Sequence, residues 1–436
     1  MAKTEDAEAD AGARLDEHAG EARRVESEPR LWRRLRRLPR NVFSISLVSL
    51  FNDSSSEIIY PVLPLFLALT LGASRAQIGL IEGAAESLSG LLKLFSGYFS
   101  DRRGRRKGMV VFGYGLASVA RPLIGLATQW PQVFAIRMAD RFGKGVRSAP
   151  RDAMIADAAA PEERGLAFGF QRAMDHAGAV IGPLIAYAVL SVIAANREAP
   201  TAENYKTLFL LAAVPALFAV LVAIFAVRES GHAARGNAAD ALPFTPPHLT
   251  LRGFDSNFKR FLVIVALFTL SNSSDAFLLL RAQQSGVGAA LIPLLWAALH
   301  VSKVVSSVLG GDLSDRLGRK TMIVAGWGLY AAVYLAFAFV SSATEAWILF
   351  LVYGIYFGLT EGTEKALVAD LVRPEQRGTA YGLYNLAFSI TVLPASLLMG
   401  WLWDWRGAPT AFAVSAVVGS TATLLLALTV KAEVRG

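Results

Sequence analysis

Ionisable side chains recur inside long apolar segments of this chain, although a charged group at the centre of a bilayer costs about 2.5–3.5 kcal/mol to insert. Carboxylates in such a setting suit proton transfer, because their proton affinity differs between a dry site and one that faces water or a cation. Asp53 and Glu57 lie four residues apart, on one face of a helix, and Arg137 and Arg141 have the same spacing. We predict one cavity for proton coupling and substrate binding, with these members: Asp53, Glu57, Arg137, Arg141, Asp175, Asp275 and Glu361.

Other interpretations of these charges stay open. The acids and bases nearly balance, so they can also form a network of ion pairs that only stabilises the helices. For Glu361, a role in latching one conformation is as consistent with its position as a role in the cavity. The cations suit an anionic substrate too, so charge alone does not identify the solute. A transient site for a hard metal ion can be built from Asp53, Glu57 and His176. The chain has no cysteine, which excludes thiolate metal sites and disulfides, and we expect no cofactor.

The elements that carry these residues are predicted to be membrane helices. Hydrophobic residues make up 54% of the 436 residues and charged residues only 18%, a smaller polar share than soluble proteins show. The apolar residues form blocks of about 20 residues, the length that crosses the hydrocarbon core. The net charge is +8, but the basic residues lie in short loops, so no nucleic-acid partner is expected. No phosphate-binding loop or hydrolase motif occurs, which argues against ATP-driven transport and against an enzyme.

Two charged motifs occur twice at nearly the same interval. The loop at residues 97–106, GYFSDRRGRR, returns 214 residues later at 311–320 as GDLSDRLGRK. A second motif at 156–165 returns 213 residues later at 369–378, with AD, PE and RG in both copies. Such an internal repeat indicates two copies of one structural unit. We predict an all-α membrane protein with 12 transmembrane helices in two pseudo-symmetric six-helix bundles.

The apolar blocks give the predicted boundaries. The parts are a cytoplasmic tail at 1–40, expected to be disordered and then basic, a bundle at 41–227, a cytoplasmic linker at 228–258, a second bundle at 259–430 and a cytoplasmic C-terminus at 431–436. Helices are predicted at 42–70, 76–99, 108–128, 131–155, 165–194, 206–227, 260–284, 287–310, 321–342, 345–367, 379–402 and 409–430. Arginine and lysine are concentrated in the loops on the side of the N-terminus. This predicts a multi-pass protein of the cytoplasmic (inner) membrane with both termini in the cytoplasm.

The repeated loop, G-x-x-x-D-R-x-G-R-[RK], resembles the signature of the major facilitator superfamily, and the resemblance covers residues 41–430. It implies two six-helix halves that rock around a central site. It also implies a cytoplasmic gate, in which Arg105 pairs with Asp157 and Arg319 pairs with Asp370. The gate residues that it implies are Gly97, Asp101, Arg102, Arg105, Asp157, Asp315, Arg319 and Asp370.

Two further motifs resemble those of proton-linked exporters in that family. The segment RFGKG at 141–145 is similar to a motif whose arginine is associated with proton coupling. Gly169, Gly178, Gly182 and Pro183 match a helix-packing motif of exporters that exchange substrate for protons. The resemblance therefore implies a monomeric antiporter that exports a small solute against protons.

Two other functions stay open. The segments FNDSSSE at 51–57 and YP at 60–61 resemble a bacterial subgroup in which some members are associated with metal or iron-complex efflux. Export of a metal ion or iron complex is therefore one alternative. A membrane sensor that moves no solute is the other.

Overall fold

The computed structural model describes Leu35 and residues 37–103, 106–160, 163–229, 250–373 and 376–431. Within these ranges the chain is helical apart from short connections, and no strand occurs. The predicted all-α fold class is confirmed. Most of the predicted tail at 1–40, of the linker at 228–258 and of the C-terminus at 431–436 lies outside the described residues.

Six helices form the first half. They are α1 (Arg40–Ile59), α2 (Arg75–Arg103), α3 (Lys107–Leu123), α4 (Trp130–Ala158), α5 (Arg164–Ile193) and α6 (Ala202–Phe225). Two short helical segments, Leu63–Leu65 and Phe66–Thr70, continue α1 toward the next loop. The predicted spans match these helices in order, with ends that differ by a few residues.

Six further helices form the second half. They are α7 (Ser256–Gln284), α8 (Ile292–Leu317), α9 (Arg319–Phe339), α10 (Ala343–Asp370), α11 (Arg377–Arg406) and α12 (Ala408–Thr429). The turns between α2 and α3 and between α8 and α9 carry the repeated basic motif, so we call this end of the bundle the basic end. The opposite end, with the α1–α2 and α11–α12 turns, is called the far end.

Within the described residues, nine of these helices are long and apolar enough to cross a membrane by length and composition. The three outside that set are α1, α2 and α4. They carry many of the ionisable residues, among them Asp53, Glu57, Glu86, Arg137 and Arg141. Their polar faces must therefore be covered by protein or by a water-filled cavity rather than by lipid.

The predicted span over 260–284 contains a break that the apolar pattern does not predict. α7 stops at Ser271 and resumes at Ala276. The run Asn-Ser-Ser-Asp between them is not helical, because such side chains compete for nearby backbone groups. The Tyr330 hydroxyl donates a hydrogen bond of 2.6 Å to the carbonyl of Ser271, which satisfies one backbone group that the break frees. The break places Asp275 at the start of the second piece of α7.

The most extensive contacts between the two halves are those of α2 with α11 and of α5 with α8. The first pair approaches so closely that a Cβ atom on Gly83 would lie 2.9 Å from the Cα of Leu393. In the same contact the Ser87 hydroxyl donates to the carbonyl of Ser389 at 2.6 Å. Small residues and interhelical hydrogen bonds of this kind hold helices together in a bilayer. The halves therefore meet by backbone approach at this contact.

Two glycines of the predicted α5 packing motif lie against α1. A Cβ atom on Gly178 would lie 3.0 Å from the Cβ of Asp53, and one on Gly182 would lie 2.8 Å from the Cβ of Glu57. Gly169 has open space around its missing Cβ in the described part of the chain. Only part of the motif thus serves close packing, and that part sets the position of two predicted carboxylates.

Valine at Gly182 is expected to disturb the α1–α5 contact, since overpacking a close contact costs about 1–3 kcal/mol. Gly182→Val should therefore lower the melting temperature of the purified protein. Gly169→Val is the matched control, because it adds the same side chain to the same helix in open space. Pro183, inside α5, is unchanged in both variants. Equal melting temperatures for the two variants would contradict this role of Gly182.

Candidate functional site

A cavity of about 530 Å³ lies between the two halves. Residues of α1 to α5 line it on one side, and residues of α7, α8, α10 and α11 line it on the other. Its wall includes these members of the predicted cluster: Asp53, Glu57, Arg141, Asp175 and Asp275. Arg137 is buried next to this wall. The structure therefore brings six of the seven predicted residues to one place, and only Glu361 lies elsewhere.

The central cavity has a neighbour on the side of the basic end. This second cavity, of about 490 Å³, shares Arg172 and His176 with the central one. It extends to Arg319, the first residue of α9, directly after the turn at Gly318. The lining of the two cavities thus runs from the basic end to the centre of the bundle.

At the far end a helix cap joins the two halves. The Asp404 carboxylate, in the last turns of α11, accepts hydrogen bonds from the backbone N–H groups of Arg75 and Ala76 at 3.0 and 2.8 Å. These groups begin α2 and have no partner within that helix, and the positive end of the helix dipole favours a carboxylate. The N–H of Ala290 also donates to the carbonyl of Arg197 at 2.9 Å. These contacts hold the two halves together at the far end.

A fully buried carboxylate, Asp140 on α4, is surrounded by arginines. It lies 2.8 Å from Arg121 Nε, 3.5 Å from Arg137 Nη1 and 3.8 Å from Arg141 Nη1. Neither Asp140 nor Arg121 is among the functional residues predicted from the sequence. The available signal was the spacing of three residues between Arg137 and Asp140, which places them on one helix face.

The two predicted arginines of α4 also contact carboxylates of α2. Arg137 donates to Glu82 at 2.7 Å, and both side chains are almost completely buried. Arg141 Nη2 lies 3.1 Å from Glu86 Oε1. The ion-pair network that the near balance of charges left open is therefore present. These arginines have counter-ions within the protein and are not free for a ligand.

The carboxylates of the remaining cluster residues have neutral donors. The pairs are Asp53 with Asn52 Nδ2 (2.7 Å), Glu57 with Trp296 Nε1 (2.8 Å), Asp175 with Gln171 Nε2 (2.6 Å) and Asp275 with the Tyr353 hydroxyl (2.9 Å). Asp175 also has Arg172 at 4.0 Å. A neutral donor stabilises a negative charge less than a guanidinium group does. Three of these carboxylates, Asp53, Glu57 and Asp275, have no guanidinium group within ion-pair distance among the described residues.

The two acids of α10 lie apart from this cluster. Glu361 lines the second cavity and is exposed there. Glu364 accepts hydrogen bonds from Trp327 Nε1 at 2.8 Å and from the Tyr384 hydroxyl at 2.5 Å. Glu361 thus lies at the second cavity rather than in the central one, and Glu364 is a contact between helices.

The structure describes the predicted gate pairs in part. Arg319 Nη1 donates to Asp370 Oδ2 at 2.5 Å, which ties the start of α9 to the end of α10. In the first half, the described partner of Asp157 is Arg106. The predicted partner, Arg105, lies outside the described residues.

The other gate residues give less information. Gly97 lies in α2, and a Cβ atom on it would touch Ala149 of α4 at 3.4 Å. The side chains of Asp101, Arg102 and Asp315 lie outside the described part of the chain.

The suggested hard-metal site receives no geometric support. Asp53, Glu57 and His176 all line the central cavity. In the described ranges, however, no three histidine, aspartate or glutamate side chains form a group that could hold a metal ion.

Comparison with known proteins identifies the family. The profile of the Major Facilitator Superfamily matches residues 45–393 and 276–436. The chain belongs to the Major Facilitator Superfamily. As a member of the Major Facilitator Superfamily it is a multi-pass membrane transporter of small molecules and not an enzyme, as the repeated loop predicted.

Individual relatives agree with the family assignment. An uncharacterized MFS-type transporter of Methanocaldococcus jannaschii is 34% identical over 374 residues, which covers 84% of this chain and 89% of that protein. The multidrug resistance protein MdtH of Cronobacter sakazakii is 34% identical over 125 residues, 26% of this chain and 30% of that protein. A crystal structure of a POT family transporter in complex with a thioalcohol-conjugated peptide has a TM-score of 0.73 at 12% identity, with 91% of this chain and 98% of that chain covered. The last likeness concerns the fold alone.

Proposed function

We propose that this transporter is a proton-coupled antiporter that exports a small solute by alternating access. In this proposal the basic end faces the cytoplasm, both termini are cytoplasmic, and a single chain in the cytoplasmic membrane is the working unit. Solute enters through the open basic end and reaches the central cavity. Separation of the halves at the far end then releases it on the other side.

The contact between Glu57 and Trp296 is the observation that carries the proposal. Glu57 lies on α1 in the first half and Trp296 lies on α8 in the second, and their hydrogen bond is 2.8 Å long. Opening of the far end would separate these helices and remove the donor from the carboxylate. Glu57 would then face external water and take up a proton there. A group whose protonation changes with the contact between the halves can couple proton movement to the conformational cycle.

Asp53 and Arg141 support the same mechanism. Both line the cavity with Glu57, and Asp53 lies one helical turn from Glu57 on α1. When the far end closes again, the bound protons would leave toward the basic end. Solute and protons compete for the cluster on that side. In this scheme Asp175 and Asp275 bind solute or a second proton.

Two observations favour export. The packing of Gly178 and Gly182 against α1 matches the resemblance to proton-linked exporters. The partial similarity to a multidrug resistance protein points in the same direction. A metal ion as the exported solute lacks a matching group of ligands among the described residues, so we rank an organic solute first.

Glu57→Gln tests proton coupling. Glutamine keeps the size of the side chain and an oxygen that accepts from Trp296, but it cannot carry the proton. Inverted membrane vesicles that contain the transporter are energised, and release of protons is followed with a fluorescent pH probe after addition of antibiotics, organic acids or metal chelates. We expect solute-dependent proton release with the native chain and none above empty vesicles with Glu57→Gln.

The matched control is Glu364→Gln, because Glu364 is another buried carboxylate with an indole donor but lies outside both cavities. It should leave proton release unchanged. The proposal is wrong if Glu57→Gln and Asp53→Asn both release protons as the native chain does.

A further inference from the structure

Two cations of α4 at the central cavity have no carboxylate within ion-pair distance in the described part of the chain. Lys144 lines the cavity. Arg147 also lines it, is only 5% exposed, and its Nη1 has no hydrogen-bond partner among the described residues. In the other half, Lys303 is not part of the cavity lining and lies 3.5 Å from the centre of the Phe357 ring. Buried cations are costly without a counter-ion, so the arrangement of Lys144 and Arg147 favours an anionic ligand.

The carboxylates of the cavity fall into two groups. Glu82, Glu86 and Asp140 already lie beside arginines. The other carboxylates, on α1, α5 and α7, each accept a hydrogen bond from a neutral side chain. A carboxylate can become neutral by binding a proton, whereas a guanidinium group keeps its charge in a protein. The positive charge of Arg147 therefore persists at the cavity, where a negatively charged ligand can balance it.

Aromatic side chains form much of the remaining wall. They are Tyr60, Trp296, Tyr353, Phe357 and Phe388. The Tyr60 and Trp296 rings lie 5.2 Å apart, and those of Tyr353 and Phe357 lie 5.1 Å apart. Offset or edge contacts with such rings favour a flat aromatic group. The volume of about 530 Å³ is in the range that suits small organic ligands.

We propose that the transported solute is an aromatic organic anion. Its acidic group is bound by Lys144 and Arg147 of the first half, and its ring packs against the aromatic wall. This inference names the substrate class of the proposed transport site and so rests on the proposed function, but its test measures binding alone.

Three naphthalene probes with the same ring and different charge provide that test. They are 2-naphthoate, 2-naphthamide and 2-naphthylmethylammonium, which are negative, neutral and positive at neutral pH. Binding to the purified full chain in detergent is measured by calorimetry, up to millimolar concentration. We expect 2-naphthoate to bind at least about tenfold more tightly than the other two probes, a difference of about 1.4 kcal/mol.

Substitutions of Lys144 test whether this residue binds the acidic group of the probe. Lys144→Met should weaken binding of 2-naphthoate by about tenfold or more and leave the neutral probe unchanged, while Lys144→Arg should retain it. Lys206→Met is the matched control, because Lys206 lies on α6 outside the cavity and pairs with Glu203. Melting temperatures of all variants show whether they remain folded.

Each outcome has a defined meaning. The anionic substrate class is overturned by any one of three results. These are tightest binding of the cationic probe, equal binding of all three probes, and no binding of any probe. If 2-naphthoate binds most tightly but Lys144→Met does not weaken that binding, the assignment of the site to Lys144 is overturned. If 2-naphthoate binds as expected while no solute releases protons from vesicles, proton antiport fails and the anion site stands. If Glu57→Gln abolishes proton release while naphthoate does not bind, the reverse holds.

Discussion

Asparagine at Asp140 is expected to destabilise the folded protein by about 3–5 kcal/mol, the usual cost of breaking a buried ion pair on one side. Asp140 is fully buried, and the substitution leaves Arg121 without its 2.8 Å partner. Arg137 and Arg141 lose a nearby negative charge as well. The effect is large because several buried guanidinium groups share this carboxylate.

Thermal unfolding of the purified chain measures this effect, together with the fraction that elutes as a single species. Asp152→Asn is the matched control, since Asp152 pairs with Arg151 at a partly exposed position and such pairs contribute about 0–1 kcal/mol. Arg121→Gln combined with Asp140→Asn should recover part of the lost stability, because one unpaired cation is removed. Equal melting temperatures for Asp140→Asn and Asp152→Asn would refute the central role of Asp140.

Removal of the Asp404 cap is expected to open the far end. Asp404→Asn replaces a carboxylate that accepts from two backbone N–H groups of α2 with a neutral group that interacts less with the helix dipole. Hydrogen bonds to charged groups contribute about 1.5–3 kcal/mol each. We therefore expect the population with an open far end to rise roughly tenfold, since about 1.4 kcal/mol changes an equilibrium by that factor.

Spin labels can measure this shift, because the chain has no cysteine and introduced cysteines are labelled alone. Ala202→Cys and Gln284→Cys place one label on each half, at helix ends that face the far end. Pulsed electron resonance should show a larger share of long distances in Asp404→Asn. Glu345→Gln is the control, because Glu345 accepts from Ser341 within its own half. Identical distance distributions in Asp404→Asn and the native chain would show that the cap does not hold the halves together.

Much of the architecture was predictable from the sequence, because a repeated motif and long apolar blocks report on the fold directly. The same reasoning placed Asp53, Glu57 and Arg141 together, since mid-membrane charges face protein or water rather than lipid. The cavity confirms that they share one wall. Whether they couple protons to transport remains a prediction.

Other features depended on contacts between helices that a sequence does not show. Asp140 escaped attention because its three arginines come from two helices and only one lies at a helical spacing. The near balance of charges also left open which acids pair with Arg137 and Arg141, and the partners are Glu82 and Glu86 of α2. Lys303, in contrast, lies on an aromatic ring, and no pattern of residue types distinguishes it from the paired cations.

The charges of α2 and α4 also constrain how the chain enters the membrane during synthesis. Glu82 on α2 emerges from the ribosome well before Arg137 on α4, its counter-ion in the folded protein. Until α4 arrives, α2 carries acidic groups without their counter-ions. Inserting each of them at the middle of the bilayer costs about 3 kcal/mol. Release of α2 from the translocon into lipid is therefore favoured only together with α4. The first half settles in the bilayer as a group of helices rather than one helix at a time.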